Sequence, residues 1–270
     1  MTPESIKYFD IHSHLHGSEF DSDRDAVLAR MRDVGVGTIT IGTDVEDSKK
    51  AVALAEENEN IYASIGVHPA DDAGAIFDEA VFEKLAESEK VVAVGECGLE
   101  YFNLTGDIEV EKNRQKELFA QHIAFAQKHN LPLMIHARPT KGSMDAYRDV
   151  LEMLKTAREK APVRANFHFF AGDMGIAKDA IEIGFTLSFT GVITFARQYD
   201  EVIRFAPSGM IMAETDSPYV APVPYRGKRN EPTFVSEVVK TMAEIRGGDV
   251  ETVRVQLLKN VKRVFIINMI

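Results

Sequence analysis

Short apolar runs recur eight times along this chain, and segments with a helical spacing of apolar residues separate most of them. The runs predict strands at 8–12, 38–42, 61–67, 91–95, 131–135, 163–167, 185–189 and 210–213. The intervening and closing segments predict helices at 25–34, 45–58, 77–88, 108–130, 143–160, 173–183, 233–245 and 250–258. Strands that alternate with helices run parallel, because each crossover returns the chain to the same end of the sheet. The sequence therefore predicts an α/β fold, a (β/α)8 TIM barrel, as a single domain over residues 1–270.

Composition excludes several classes of protein. No stretch reaches the roughly 18 to 20 apolar residues of a membrane span, and the N-terminus lacks a signal-peptide pattern. The single cysteine, Cys97, excludes an internal disulfide and is typical of a reducing compartment. We therefore expect a cytoplasmic protein with no membrane partner. The formal net charge is −11, from 31 basic and 42 acidic residues, so any contact with nucleic acid must be local.

Polar side chains that can bind metals stand at or just after the ends of six predicted strands. They are His12, His14, His68, Glu96, His136, His168 and Asp216. The carboxyl ends of the strands form one rim of such a barrel, where active sites are built. Imidazole and carboxylate groups together are typical ligands of divalent metals. The pattern predicts a metal site at this rim, although any one of these histidines could instead satisfy a buried backbone group.

Seven motifs follow one another from residue 9 to about residue 265. They are F-D-I-H-S-H-L, G-V-H-P, V-G-E-C-G-L-E-Y, P-L-M-I-H-A-R, F-H-F-F-A-G, E-T-D-S-P-Y and R-G-K-R-N-E-P. In this order they resemble the TatD family of metal-dependent hydrolases, within the wider amidohydrolase-like barrels. The resemblance implies two divalent metal ions: one held by His12, His14, Glu96 and Asp216, and a second held by Glu96, His136 and His168. Glu96 would bridge the two ions.

The implied ligand set also predicts a mechanism. Its mixture of imidazoles and carboxylates suits magnesium, manganese or zinc. A metal-bound hydroxide would attack a phosphorus or carbonyl centre. Asp216 and Glu96 are the predicted catalytic residues, with Asp216 as the proton acceptor. The alternative for Asp216 is a helix N-cap, because D-S-P is also typical of a helix start.

The resemblance implies a deoxyribonuclease, so the expected partner is a DNA end or single-stranded DNA. Four basic residues near the rim are expected to hold phosphate groups: Arg138, Arg226, Lys228 and Arg229. Glu100 is expected to orient the substrate or a ligand histidine, and His68 and Tyr101 complete the predicted substrate-binding set. We expect a monomer or a weak homo-oligomer.

Two alternatives remain at this stage. The same centre could attack a carbonyl carbon, which would make the protein a hydrolase of a small ester, lactone, amide or aminoacyl ester. The acidic surface favours this alternative, as does an altered loop: Pro139 stands where the family usually has an acidic residue, and the segment 140–162 is longer than usual. His16 also departs from the family pattern, since an Asp is common there. The second alternative, a non-catalytic binding module on a retained barrel, is disfavoured because every implied ligand is present.

Overall fold

The structure is a computed structural model that describes residues 6–70 and 76–267. Within these residues the chain forms eight strands: β1 Tyr8–Ser13, β2 Val36–Ile41, β3 Ile61–Ile65, β4 Val91–Glu100, β5 Leu133–Arg138, β6 Ala165–Phe167, β7 Thr186–Phe189 and β8 Ile211–Ala213. The α-helices of the same residues are α1 Arg24–Val34, α2 Val45–Glu56, α3 Glu79–Ala86, α4 Ile108–His129, α5 Asp145–Arg158, α6 Met174–Glu182, α7 Asp200–Phe205, α8 Val235–Arg246 and α9 Val250–Phe265.

The strands form one parallel sheet in the order β1 to β8, so each strand pairs with its neighbours in sequence. The sheet curls round until the segment after β8 meets β1. There Asp216 N–H donates to the His12 carbonyl over 2.9 Å, and His14 N–H donates to the Ser217 carbonyl over 2.7 Å. With helices between successive strands, this arrangement confirms the predicted (β/α)8 TIM barrel.

The main hydrophobic core lies between the strands and the surrounding helices. It joins strand residues such as Ile65 and Phe167 to helix residues such as Phe119 and Val239. Each buried side chain of this size contributes about 1.5–3 kcal/mol relative to an exposed one. The core therefore fixes the strands, and with them the residues at their carboxyl ends.

Aspartates set the start of five of these helices. The side chain of Asp44 accepts a hydrogen bond from Asp47 N–H, and equivalent caps precede α3, α4, α6 and α9. A carboxylate at this position satisfies an N–H group that the helix leaves without a partner. For α3, the cap at Asp78 places the helix start two residues after the predicted one.

Most element bounds shift by one to three residues from the sequence prediction, and three elements differ more. Strand β4 continues to Glu100 rather than ending at residue 95, because Cys97–Glu100 pair with Ile135–Arg138 of β5. Helix α7 was not predicted; it is only six residues long, with Val202 and Ile203 buried. Helix α9 runs to Phe265 rather than to residue 258, because Val261, Val264 and Phe265 continue its buried face. None of the described helices has the length and apolar character needed to cross a membrane.

Candidate metal centre

The seven polar residues predicted at the strand ends meet at one mouth of the barrel. Glu96 lies in β4 and His136 in β5, whereas His68, His168 and Asp216 follow β3, β6 and β8. His12 lies in β1 and His14 directly follows it. The backbone register of β1 shifts between Asp10 and Ser13, so this strand does not alternate regularly. Parallel strands deliver all of these side chains to the same end.

The buried carboxylate of Glu96 is the centre of the cluster. Its Oε1 lies 2.8 Å from His136 Nδ1, 3.3 Å from His168 Nε2 and 3.6 Å from His68 Nε2. Its Oε2 lies 3.4 Å from His12 Nε2 and 4.0 Å from His14 Nε2. One carboxylate therefore faces five imidazole nitrogens.

Asp216 completes the cluster on the β1 side. Its Oδ1 lies 3.6 Å from His12 Nε2 and 3.5 Å from His14 Nε2. The residue has a φ of 55°, in the left-handed region that non-glycine residues seldom adopt. Backbone strain of this kind concentrates at functional sites, where the surrounding structure holds it in place.

Three of the histidines are oriented through the ring nitrogen that faces away from Glu96. His14 Nδ1 contacts the Ile41 carbonyl over 3.1 Å, and His136 Nε2 contacts Glu100 Oε2 over 3.0 Å. His168 Nδ1 lies 3.2 Å from Glu214 Oε1. An acceptor behind the rings of His14 and His136 fixes their tautomers and leaves the opposite nitrogen for a metal. Glu214 faces His168 at ion-pair distance without a hydrogen bond to Nδ1.

Burial and the neighbouring charges shift the pKa values of the cluster. Burial alone would raise the pKa of Glu96, but His168, His68, His12 and His136 lower it well below its usual value. Burial would lower the pKa of His168, but Glu214 and Glu96 raise it well above its usual value. The pKa of His12 is lowered, because burial and the nearby His168 outweigh Glu96 and Asp216. The cluster thus stabilises a carboxylate among imidazoles.

His12 provides the test of whether these residues suit a metal ion. The side chain is fully buried, yet neither ring nitrogen has a hydrogen-bond partner. A buried polar group without a partner is costly, and native structures rarely retain one without a reason. Since Nε2 points at two carboxylates and lies within reach of other imidazoles, the donor set fits a divalent cation.

The structure brings together both ligand sets implied by the resemblance, each around Glu96. The donor atoms also form compact groups that could each hold an ion: His12 with His14 and Asp216; His68 with Glu96 and His136; and His12 with His168 and Glu214. His68, predicted to bind substrate, therefore lies among the candidate ligands. Glu214 was not predicted at all.

Glu214 is a fully buried carboxylate behind His168. Its Oε1 accepts a hydrogen bond from Phe169 N–H over 2.5 Å, and its Oε2 accepts one from Ser188 Oγ over 2.7 Å. Ser188 Oγ in turn accepts from Asn166 Nδ2 over 2.8 Å. This chain of hydrogen bonds fixes Glu214 and so the ring of His168. The sequence signal was the inward alternation of β8, which places residues 212 and 214 on one side.

A glycine lets β4 approach β5 beside the cluster. Gly98 has a φ of 135°, and a Cβ atom there would lie 2.1 Å from the backbone oxygen of His136. Only glycine fits this close approach, which sets Glu96 and His136 side by side.

The cluster forms the floor of an open cavity of about 800 Å³. Of the predicted substrate-binding residues, His68 and Arg138 line this cavity. Glu100 lies behind the lining, where it contacts His136 and lies 3.9 Å from Arg138 Nη1. It therefore occupies the predicted position for orienting a ligand histidine.

The other four predicted substrate-binding residues lie outside the described lining of the cavity. Tyr101 is 2 % exposed, and its hydroxyl donates to Asp149 Oδ2 of α5 over 2.9 Å. Arg229 makes two 2.7 Å hydrogen bonds to the carboxylate of Asp23. Arg226 lies over the ring of Phe195, and Lys228 is exposed on the same loop. Tyr101 is turned away because β4 extends to Glu100, and Arg229 is held by a carboxylate distant in sequence.

Sequence reasoning missed several residues that line the cavity. Lys50 lies in the second turn of α2, and Tyr219 follows the E-T-D-S-P motif residues. His16 contacts Asp47 Oδ1 through Nε2 over 2.9 Å and Thr40 Oγ1 through Nδ1 over 2.7 Å. The signal for Lys50 was its place in the first turns of a helix after a strand, since these turns begin at the rim.

Comparison with known proteins agrees with this geometry. The family model described as TatD related DNase matches residues 9–266. The chain is 37% identical over 264 residues to the uncharacterized metal-dependent hydrolase YabD of Bacillus subtilis, covering 96% of this chain and 99% of that protein. It is 35% identical over 263 residues to the uncharacterized metal-dependent hydrolase YcfH of Escherichia coli K12, covering 95% and 94% of the two chains.

A solved structure gives the same result. The crystal structure of YJJV, a TatD homologue from Escherichia coli K12, superposes with a TM-score of 0.84 at 27% sequence identity, covering 97% of this chain and 99% of that chain. The match thus extends over the barrel and over every strand end that contributes to the cluster. On sequence, fold and coverage together, this chain belongs to the TatD family of metal-dependent hydrolases.

Proposed function

We propose that this hydrolase is a phosphodiesterase acting on DNA, a deoxyribonuclease that removes nucleotides from a single-stranded end. The observation that carries the proposal is Glu96, set among five imidazole nitrogens and beside Asp216 on the floor of an open cavity. The description of the matching family, TatD related DNase, supports the choice of a nucleic-acid substrate.

We propose two divalent ions, of magnesium, manganese or zinc, as the cofactors. His12, His14, Glu96 and Asp216 would hold one, and Glu96, His136 and His168 the other. Such ions supply Lewis-acid activation of water and of the scissile phosphate. The unpaired nitrogens of His12 and the mixed oxygen and nitrogen donors support this assignment.

The chain's own residues then have distinct tasks. Asp216 lines the cavity and, as a carboxylate beside the reacting centre, accepts the proton of the attacking water and passes it to the leaving oxygen. Glu96 fixes the relative positions of the imidazoles around it. Arg138 and Lys50 face the cavity, where a guanidinium and an ammonium can neutralise phosphate oxygens.

We also propose that the 270 residues act as one domain in the cytoplasm, as a monomer or a weak homo-oligomer. The family match over residues 9–266 supports one domain. The single cysteine supports a reducing compartment.

Cleavage of an end-labelled single-stranded oligonucleotide tests the proposal. Metal-stripped protein should regain activity with added magnesium, manganese or zinc, and Asp216→Asn should lower the rate by about a hundredfold or more. Asp249→Asn is the matched control, because Asp249 caps α9 and asparagine caps a helix equally well. An oligonucleotide that stays intact with every metal would overturn the assignment of a nuclease.

A second candidate is the hydrolysis of a small ester, lactone, amide or aminoacyl ester. Among the described residues that line the cavity, only Lys50 and Arg138 carry a permanent positive charge, which is few for a polyanionic substrate. Rates with a bis-ester of p-nitrophenyl phosphate and with p-nitrophenyl acetate, measured with the same metals, separate the two candidates.

A further inference from the structure

Two arginines near the mouth of the barrel lie over exposed phenylalanine rings. The guanidinium carbon of Arg138 lies 4.2 Å from the ring centroid of Phe102, and that of Arg226 lies 3.9 Å from the ring centroid of Phe195. Phe102 is 45% exposed and Phe195 is 41% exposed. Each pair therefore presents an aromatic ring and a planar cation to solvent.

Each pair is close along the chain to a residue that lines the same cavity. Arg138 itself lines the cavity, and Phe102 lies two residues after the end of β4, the strand that carries Glu96. Phe195 follows a short 3-10 turn that includes the lining residue Val192. Thr194 Oγ1 accepts a hydrogen bond from Val223 N–H over 2.9 Å, which ties the segment of Phe195 to the loop of Arg226.

A third exposed aromatic lies closer to the metal centre. Tyr219 lines the cavity, is 53% exposed, and has its ring centroid 6.0 Å from that of His14. Its backbone is held at both ends of the residue: its N–H donates to the Asp216 carbonyl, and its carbonyl accepts from the buried Asn230. We refer to Phe102, Phe195 and Tyr219 as the mouth aromatics.

Charge alone gives a nucleic acid little affinity for this mouth. The net charge of the chain is −11, and Lys50 and Arg138 are the permanent cations among the described lining residues. The electrostatic part of the affinity for nucleic acid grows with the number of phosphates that such cations contact. A second source of affinity is therefore needed. Stacking of a base on an aromatic ring supplies it without regard to sequence, and an arginine plane stacks in the same way.

We propose that the mouth aromatics, with Arg138 and Arg226, are stacking subsites for the bases of a single-stranded nucleic acid. Tyr219 would take the base nearest the metal centre, and the Arg138–Phe102 and Arg226–Phe195 pairs would take bases farther along the strand. Bases in a duplex are already stacked on each other, so these subsites select an unpaired strand or end. The inference rests on the proposed nuclease function and adds how that enzyme holds its substrate.

A binding experiment on metal-stripped protein tests the subsites without requiring turnover. Fluorescence anisotropy compares a labelled oligonucleotide with an oligonucleotide of the same length whose bases are replaced by abasic spacers. We expect the wild-type protein to bind the base-containing strand about tenfold more tightly. The double variant Phe102→Leu with Phe195→Leu should reduce this preference to about twofold, whereas the Trp variants at both positions should retain it.

Phe205→Leu is the matched control. Phe205 is 46% exposed and has Lys178 Nζ 5.6 Å from its ring centroid, but it ends α7, a helix that runs away from the mouth. This variant should keep the wild-type preference, and thermal unfolding should show that all the variants fold.

The outcomes separate the two proposals. Equal affinity of the wild-type protein for the two oligonucleotides, or no binding of either, would overturn the stacking subsites. So would a double variant that keeps the full preference. A retained preference for bases in a protein that fails to cleave any oligonucleotide would overturn the nuclease and leave the subsites standing.

Discussion

Two fully buried histidines, His12 in the barrel mouth and His122 in helix α4, have the same exposure and opposite surroundings. His122 Nδ1–H donates to the Leu118 carbonyl over 2.8 Å, and its Nε2 accepts from Val67 N–H over 2.9 Å. Both nitrogens of His12 lack a hydrogen-bond partner. Burial is thus the same for these two histidines, and the hydrogen-bond state of their ring nitrogens distinguishes them.

The two regions also differ in whether their buried polar groups have hydrogen-bond partners. Around His122 the neighbours are apolar rings such as Phe77, 4.6 Å away between centroids, and every nitrogen is satisfied. Around His12 the neighbours are Glu96, Asp216 and the stacked ring of His168, 3.6 Å away between centroids. The helix layer stabilises the fold, whereas the mouth keeps unsatisfied groups that a cation would satisfy.

The largest effect is expected from removing the unpaired imidazole. His12→Gln should lower the affinity for zinc or manganese by more than about a hundredfold, since even residues that only orient a ligand cost ten- to a hundredfold. The free energy of unfolding of the metal-stripped protein should change by less than about 1 kcal/mol, because no hydrogen bond to His12 is lost. Titration calorimetry and urea denaturation in a chelator measure the two quantities; unchanged metal affinity would contradict the ligand assignment.

The histidine with both partners should behave in the reverse way. His122→Leu removes the acceptor of Val67 N–H, which should lower the free energy of unfolding by about 1–3 kcal/mol. Metal affinity should fall less than for His12→Gln. His122 binds no metal itself and reaches the cluster only through Val67, the neighbour of His68 in the chain. His129→Leu, on the same helix but partly exposed beside Glu83, serves as control and should cost less than about 1 kcal/mol. A larger loss of metal affinity than of stability in His122→Leu would contradict the comparison.

The sequence predicts the barrel well because apolar runs and helical periods are local signals. His12, His14, Glu96, His136, His168 and Asp216 could be assigned to one rim because parallel strands end together. The partner of a side chain is not a local signal. The role of Glu214 depends on His168, 46 residues earlier in the chain, so no local pattern predicts it. The sequence predicts Arg229 as a phosphate ligand, but in the structure its guanidinium is bound by Asp23. The ion pairs of the folded protein determine which charged side chains can still bind a phosphate.

The last expected effect is the pH dependence that His122 gives to stability. Burial lowers the pKa of His122 from 6.5 to about 4, although its hydrogen bond to the Leu118 carbonyl opposes the shift. Below pH 6.5 the unfolded chain therefore binds a proton that the folded protein refuses until the pH approaches 4. This residue stabilises the fold fully above pH 6.5 and progressively less as the pH falls towards 4.

At pH 5 the loss amounts to about 2 kcal/mol relative to pH 8. His122→Leu lacks this proton, so its deficit in unfolding free energy relative to the wild-type protein should shrink by about that amount between pH 8 and pH 5. Urea denaturation of both metal-stripped proteins at the two pH values isolates the effect, because every other titrating group is common to them. A deficit that is the same at both pH values would mean that His122 takes up its proton in the folded protein. The contrast with His12 would then rest on hydrogen bonding alone.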